Sequence, residues 1–404
     1  MRNLSFGFLL GALVTAGLVF GALLPEGEST KDASSASDPR APHPGELKKS
    51  PFVLEPPQEL LREPLYVDPY CFWGFPPDWN VEKIHRLLEK AGLRESEIES
   101  VLSSKQYTDP GVAVGYFPPR QLILDLSPPV RRDLYTHLGQ WSFNAYHSIP
   151  FALGKQTVSE LAAWAPHRFT AEFLEQADTA VVRREPRNRF YDYPVFAARL
   201  ESGEERLAFA QLLSRTRCQL VSLAPFTAAE APAIIDYWSA RGRNQEVISV
   251  LMSSASSNPP GPIDLVHLLP PVPRSLLFTF APPDSMVANA RPDCFWSTRN
   301  FFSPEISQRF LDITYEDTSF EGWVPVSPPY ELGDVILVLD QRDSAKVHHA
   351  CNYLADDLVF TKNGASRLRP WVIQTLDEMK DVYHSEGVTR LQFLRHASVV
   401  KDVP

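Results

Sequence analysis

The chain has 404 residues, long enough for two domains and a substantial core. Hydrophobic residues make up 44% and charged ones 22%, an ordinary globular composition. A net charge of -10, with no block of Lys or Arg, excludes a nucleic-acid partner. Thirty-seven prolines predict many loops and short helices rather than long regular ones.

Leu4 to Leu24 is an apolar run with no charge inside it, the length a bilayer core requires of a helix. It reads as a transmembrane anchor or a secretory signal. The anchor is preferred, because the best cleavage site, Val19-Phe20-Gly21, is poor. Gly7, Gly11, Gly17 and Gly21 form two Gly-x-x-x-Gly pairs, which let two such helices pack as a homodimer. Equally, Gly is simply frequent in membrane helices. Residues 25–64 are rich in Pro, Ser, Asp, Glu and Lys without apolar periodicity, which predicts a disordered tether. The folded part then stands off a membrane on its extracytoplasmic side.

Residues 65–283 read as a mainly helical domain of no assigned chemistry. Asn80 starts a helix with Ile84, Leu87 and Leu88 on one face, closed by Gly92. Ser127-Pro128-Pro129 caps another with Val130, Leu134 and Leu138. Further helices are expected over Thr157 to Ala165, Thr170 to Val182, Glu204 to Leu223, Ala228 to Ser239 and Gln245 to Ser254. Residues 284–404 change pattern. A short helix is expected from Cys294 to Phe302 and another after Ser303-Pro304-Glu305. Strands follow from Gly333, with Asp356-Asp357 as a hairpin link. A strand from Trp371, a helix over Asp377 to His384 and a last strand over Val388 to Leu394 complete an α+β fold.

Asp293 favours a helix start that places the Cys294 thiol on the first turn, where backbone N–H groups point outward. A thiol needs an imidazole beside it to become a nucleophile at neutral pH, and His349 sits in a short apolar strand. The bland alternatives are a buried structural thiol and a core histidine. Strand alternation puts His348 and His349 on opposite faces, with 349, 351 and 353 together. A two-residue turn at Asp356-Asp357 sets 355 opposite 358 and 350 opposite 363. Pro69-Tyr70-Cys71-Phe72-Trp73 echoes the Cys294 string, but Gly74 and Pro76-Pro77 prevent a helix there. Cys71 and Cys218 are candidates for a disulfide in an oxidising compartment.

Asp293-Cys294, Gly333-Asp334, His349 to Leu354 and Val359-Phe360-Thr361 fall in the order of the NlpC-type cell-wall cysteine peptidases, which these residues resemble. That family is the compact bacterial branch of the papain-like fold, with a helix packed on an antiparallel sheet. The resemblance covers only the C-terminal part. It implies Cys294 as nucleophile, His349 as base, and Thr361 or Asn363 as the group orienting the imidazole. It implies an amide bond in cell-wall peptides as substrate, no cofactor or metal, and a single-pass protein of the bacterial inner membrane with its folded part periplasmic. Two departures stand out: Phe295-Trp296 replaces the family's Ser-Gly, and Thr361 stands where His is usual. An inactive scaffold of the same fold is the rival reading.

Overall fold

The structure is a computed structural model that describes residues 42–67, 69–257, 259, 261–281, 292–311 and 320–400. The apolar run at Leu4 to Leu24, its Gly pairs and residues 25–41 of the expected tether lie outside the described residues. Among the described residues no helix is long and apolar enough to cross a membrane.

Order begins inside the stretch read as a tether. Leu47–Leu54 is a strand paired antiparallel with Thr216–Leu223, in register from Leu47 opposite Leu223 to Leu54 opposite Thr216. It lies at the edge of a three-stranded sheet. There an unpaired face accommodates Lys48, Lys49 and Pro51, the residues that made it read as disordered. Its partner was expected at the end of one long helix. The chain instead stops the helix Gly203–Leu213 at Ser214 and turns into a strand whose Thr216, Cys218, Val221 and Leu223 point inward.

The middle of the chain is therefore mixed rather than mainly helical. Its helices match the caps expected of them. Asn80 accepts the Lys83 N–H ahead of Val81–Lys90, Ser127 precedes Pro128–Leu138, and Thr157 and Thr170 cap Val158–Ala162 and Ala171–Thr179. Between them run strands of two to four residues, too short to show periodicity in sequence. They form two further three-stranded antiparallel sheets.

The C-terminal sheet has six antiparallel strands in the order Trp323–Pro325, Thr389–His396, Val335–Asp340, Val347–Ala355, Leu358–Lys362 and Trp371–Thr375. Helix Cys294–Arg299 lies against the Val347–Ala355 and Leu358–Lys362 strands, and helix Leu376–Tyr383 is also packed on the sheet. The helix expected after Ser303-Pro304 appears only as a 3-10 turn at Gln308–Leu311. The expected boundary at 283/284 does not separate two cores. Val221, Leu251, Leu268 and Leu277 share one cluster with Trp296, Leu354, Phe360 and Trp371.

A buried ion pair anchors the first core. Arg131 Nε lies 3.2 Å from Asp192 Oδ2, Tyr135 Oη donates to Asp192 Oδ1, and the Arg131 guanidinium also donates to the Ile123 and Thr179 carbonyls. Both charged side chains are nearly inaccessible. Removing one leaves the other charge buried and alone. Asp192→Ala is expected to cost about 3–5 kcal/mol in chemical denaturation.

Candidate functional site

Cys294 is the first residue of its helix, and Asp293 caps it by accepting the Trp296 N–H at 2.8 Å. The next two residues, which depart from the resembled family, fill the surroundings. Phe295 packs with Val335, Leu337 and Ala350, and Trp296 with Leu354, Phe360 and Trp371, its ring 6.0 Å from that of Trp371. The thiol is 5% exposed. Burial, then the Asp293 carboxylate, push it up to about 12, against the Ala350 N–H, Lys362 and the Phe295 N–H, which pull the other way.

His349 is fully buried. Its Nε2 lies 2.8 Å from Thr361 Oγ1, so the expected orienting group is in place. With hydrogen assigned to Nε2, the imidazole donates to Thr361 and presents a lone pair at Nδ1. Nδ1 has no hydrogen-bond partner, so the ring makes no hydrogen bond to Cys294. Its face lies flat on Tyr383, centroids 3.9 Å apart and planes 4° apart. Burial, helped by Arg187, pulls the imidazole down to about 3. The Cys294 sulfur nonetheless belongs to the same locus, near enough to Cys351 and Tyr383 to raise both.

A β-bulge pairs Val338 with His349 and Leu339 with Val347, leaving His348 as the extra residue. The two rings still part as expected: His348 Nε2 turns to Asp340 Oδ2 at 3.3 Å, while His349 joins Cys351 and Tyr353 on the Tyr383 face. One expectation about register is corrected. Ala355 does pair with Leu358, but a shift between Tyr353 and Ala355 sets Asn352 opposite Phe360, so 350 does not face 363. Asn363 lies past the end of the Leu358–Lys362 strand, where its Nδ2 donates to Gln374 Oε1 at 3.2 Å and it makes no hydrogen bond to His349. Cys71 and Cys218 are free thiols rather than a disulfide. No helix follows Cys71, where Trp73–Phe75 is a strand.

Sequence reasoning missed Lys362, although alternation along Leu358–Lys362 places it beside Phe360 on the Cys294 side. It is fully buried, and its Nζ donates to the Gly364 and Ser366 carbonyls at 2.8 and 2.9 Å. Burial pulls the amine down to about 7, opposed by the charges of Cys294 and Asp293. It also missed Tyr383, which carries no signal until the fold lays its helix over His349.

Neither of two cavities among the described residues is lined by Cys294 or His349. One, of about 110 Å³, reaches Tyr383 and Asn363; the other, of about 190 Å³, reaches Thr298 and Asn352. Among the described residues no cluster of His, Cys, Asp and Glu is arranged to hold a metal ion. Set against protein-family models, curated proteins and solved structures, the chain matches none of them.

Two pH responses follow. A neutral thiol paired with a neutral imidazole has a thiolate fraction at pH 8 of about one in ten thousand. Alkylation of Cys294 is expected to accelerate about tenfold per pH unit from pH 7 to 10, without a plateau. A plateau near pH 6 would reveal an ion pair instead. The buried imidazoles of His349 and His147, both pulled down to about 3 by burial, also destabilise the fold in acid. Once unfolded they take protons near pH 6.5, which the native state refuses until about pH 3. Stability therefore falls as pH drops through that window, by about 1.4 kcal/mol per unit for each histidine. His349→Gln should remove one such share from the slope of the urea midpoint against pH.

Proposed function

We propose that the chain is a papain-like, NlpC-type cysteine hydrolase whose thiol site is held closed, with Cys294 as nucleophile, His349 as base and Thr361 as the group that orients the imidazole. The observation that carries this reading is the His349–Thr361 bond at Nε2, which leaves the buried Nδ1 without a partner on a strand packed against the helix that begins with Cys294.

Closure is the work of Tyr383, Phe295 and Trp296, which exclude water from both reacting groups. Moving Tyr383 off the ring rehydrates the imidazole and lifts its proton affinity, so that it takes the thiol proton. The thiolate then attacks an amide carbonyl, and the Phe295 N–H on the first helical turn faces the developing negative charge. The imidazolium gives its proton to the leaving amine, a thioester forms, and water, deprotonated by His349, releases the acid. By resemblance the amide belongs to peptidoglycan peptides, met on the periplasmic side of a bacterial inner membrane to which residues 1–24 tie the chain.

One observation favours a second reading. The same burial that closes the site suits an inactive scaffold, in which Cys294 and His349 are core residues. The two readings part on purified cell-wall peptides. For the hydrolase, Cys294→Ala and His349→Ala each lose at least about a thousandfold in rate, while His348→Ala and Cys71→Ser retain it. Hydrolysis that survives Cys294→Ala contradicts the assignment. A wild-type chain that neither cuts these peptides nor labels at Cys294 with a peptidyl chloromethyl ketone is the scaffold.

A further inference from the structure

The 110 Å³ cavity lies on the seam between the Ala152–Gly154 segment, Arg187, residues 215–217 and the C-terminal sheet with its helix Leu376–Tyr383. Four arginines line it. Three are already committed. Arg215 binds Glu55 and the carbonyls of Leu161, Ala162, Ala165 and Pro166. Arg369 binds the carbonyls of Ala152, Ser214 and Arg215. Arg217 pairs with Glu378 at 3.1 Å. The remaining acid, Asp381, pairs with Lys155 at 3.1 Å.

Arg187 is left over. It lies above the Tyr383 ring, 5.2 Å from the centroid, and among the described residues it has no carboxylate within ion-pair distance. Although it sits close to the Tyr383 hydroxyl, it makes no hydrogen bond of sound geometry with it: Tyr383 Oη is buried and unpartnered. Asn363 Oδ1 is the other unpartnered atom on this cavity. Its direction is fixed by its neighbours. Gln374 spends its Nε2 on the Arg217 carbonyl, so its Oε1 must accept from Asn363 Nδ2, which turns Asn363 Oδ1 away from it.

The cavity thus offers one uncommitted cation, one hydroxyl donor and one amide acceptor. Buried polar atoms without partners are costly, and a ligand that satisfies them recovers that cost. A carboxylate suits Arg187 and Tyr383, and a neighbouring N–H suits Asn363 Oδ1. Inorganic phosphate suits the first pair too and keeps a P–OH able to donate to Asn363 Oδ1, which makes it the chief rival ligand. The volume corresponds to a few waters, room for a carboxylate and one amide. We propose that this seam cavity binds the C-terminal end of a short peptide through its carboxylate and last amide. The proposal does not depend on an active thiol, because binding is read without any bond being cut.

Titration calorimetry on the full chain tests it with glycylglycine, glycylglycinamide and inorganic phosphate. Saturable binding of glycylglycine is expected, with the amide and phosphate at least tenfold weaker. Arg187→Gln should abolish it and Arg187→Lys retain part of it. Tyr383→Phe, which keeps the ring on His349 but removes the hydroxyl, should weaken it severalfold. Equal binding of acid and amide, equal binding of phosphate, or unchanged binding in a folded Arg187→Gln protein overturns the proposal.

Discussion

Desolvation of the His349 imidazole is the constraint on which the rest of the C-terminal half depends. The ring is held at one edge by Thr361 and covered on one face by Tyr383, with water excluded. An imidazole so placed stays neutral, since no nearby anion compensates for the lost hydration. A neutral imidazole in turn cannot stabilise a thiolate, so Cys294 stays protonated even though Lys362 and two backbone N–H groups favour its charge. Burial thus outweighs the electrostatic help.

The same surroundings tie the two halves of the chain together. Arg369, rooted in the C-terminal sheet, donates to carbonyls at 152, 214 and 215, and Gln374 donates to the Arg217 carbonyl. Arg369 and Gln374 thus satisfy backbone carbonyls that would otherwise be buried without partners. Burial lowers Arg369 to about 10, still fully charged at neutral pH. Tyr383 stands between seam and site, with one face toward His349 and Arg187 over its ring.

Much of this was legible from local sequence. The Asp293 cap, the helix it starts, the Val335–Asp340, Val347–Ala355 and Leu358–Lys362 strands and the Ala355–Leu358 turn follow from capping, alternation and turn chemistry. The Thr361 contact with His349 follows only from the family resemblance. What escaped has two physical sources. The strand Leu47–Leu54 is held by its partner rather than by its own apolar content, so its polar composition hid it. The position of Asn363 was lost because the strand ends at Lys362, whose amine is tied to the Gly364 and Ser366 carbonyls, and Asn363 turns to Gln374 instead. Tyr383 and Arg187 join the site through tertiary packing alone, which no local pattern encodes.

The central claim is that Cys294 and His349 are each buried and neutral while Tyr383 covers the imidazole ring. The most direct measurement is a titration of the His349 ring nitrogens by ¹⁵N NMR in the unliganded protein. The account predicts a single neutral tautomer, hydrogen on Nε2, unchanged from pH 8 down to pH 4. An imidazolium at pH 7 that loses its proton only above pH 8 would contradict it, because that is the signature of a thiolate–imidazolium pair already formed.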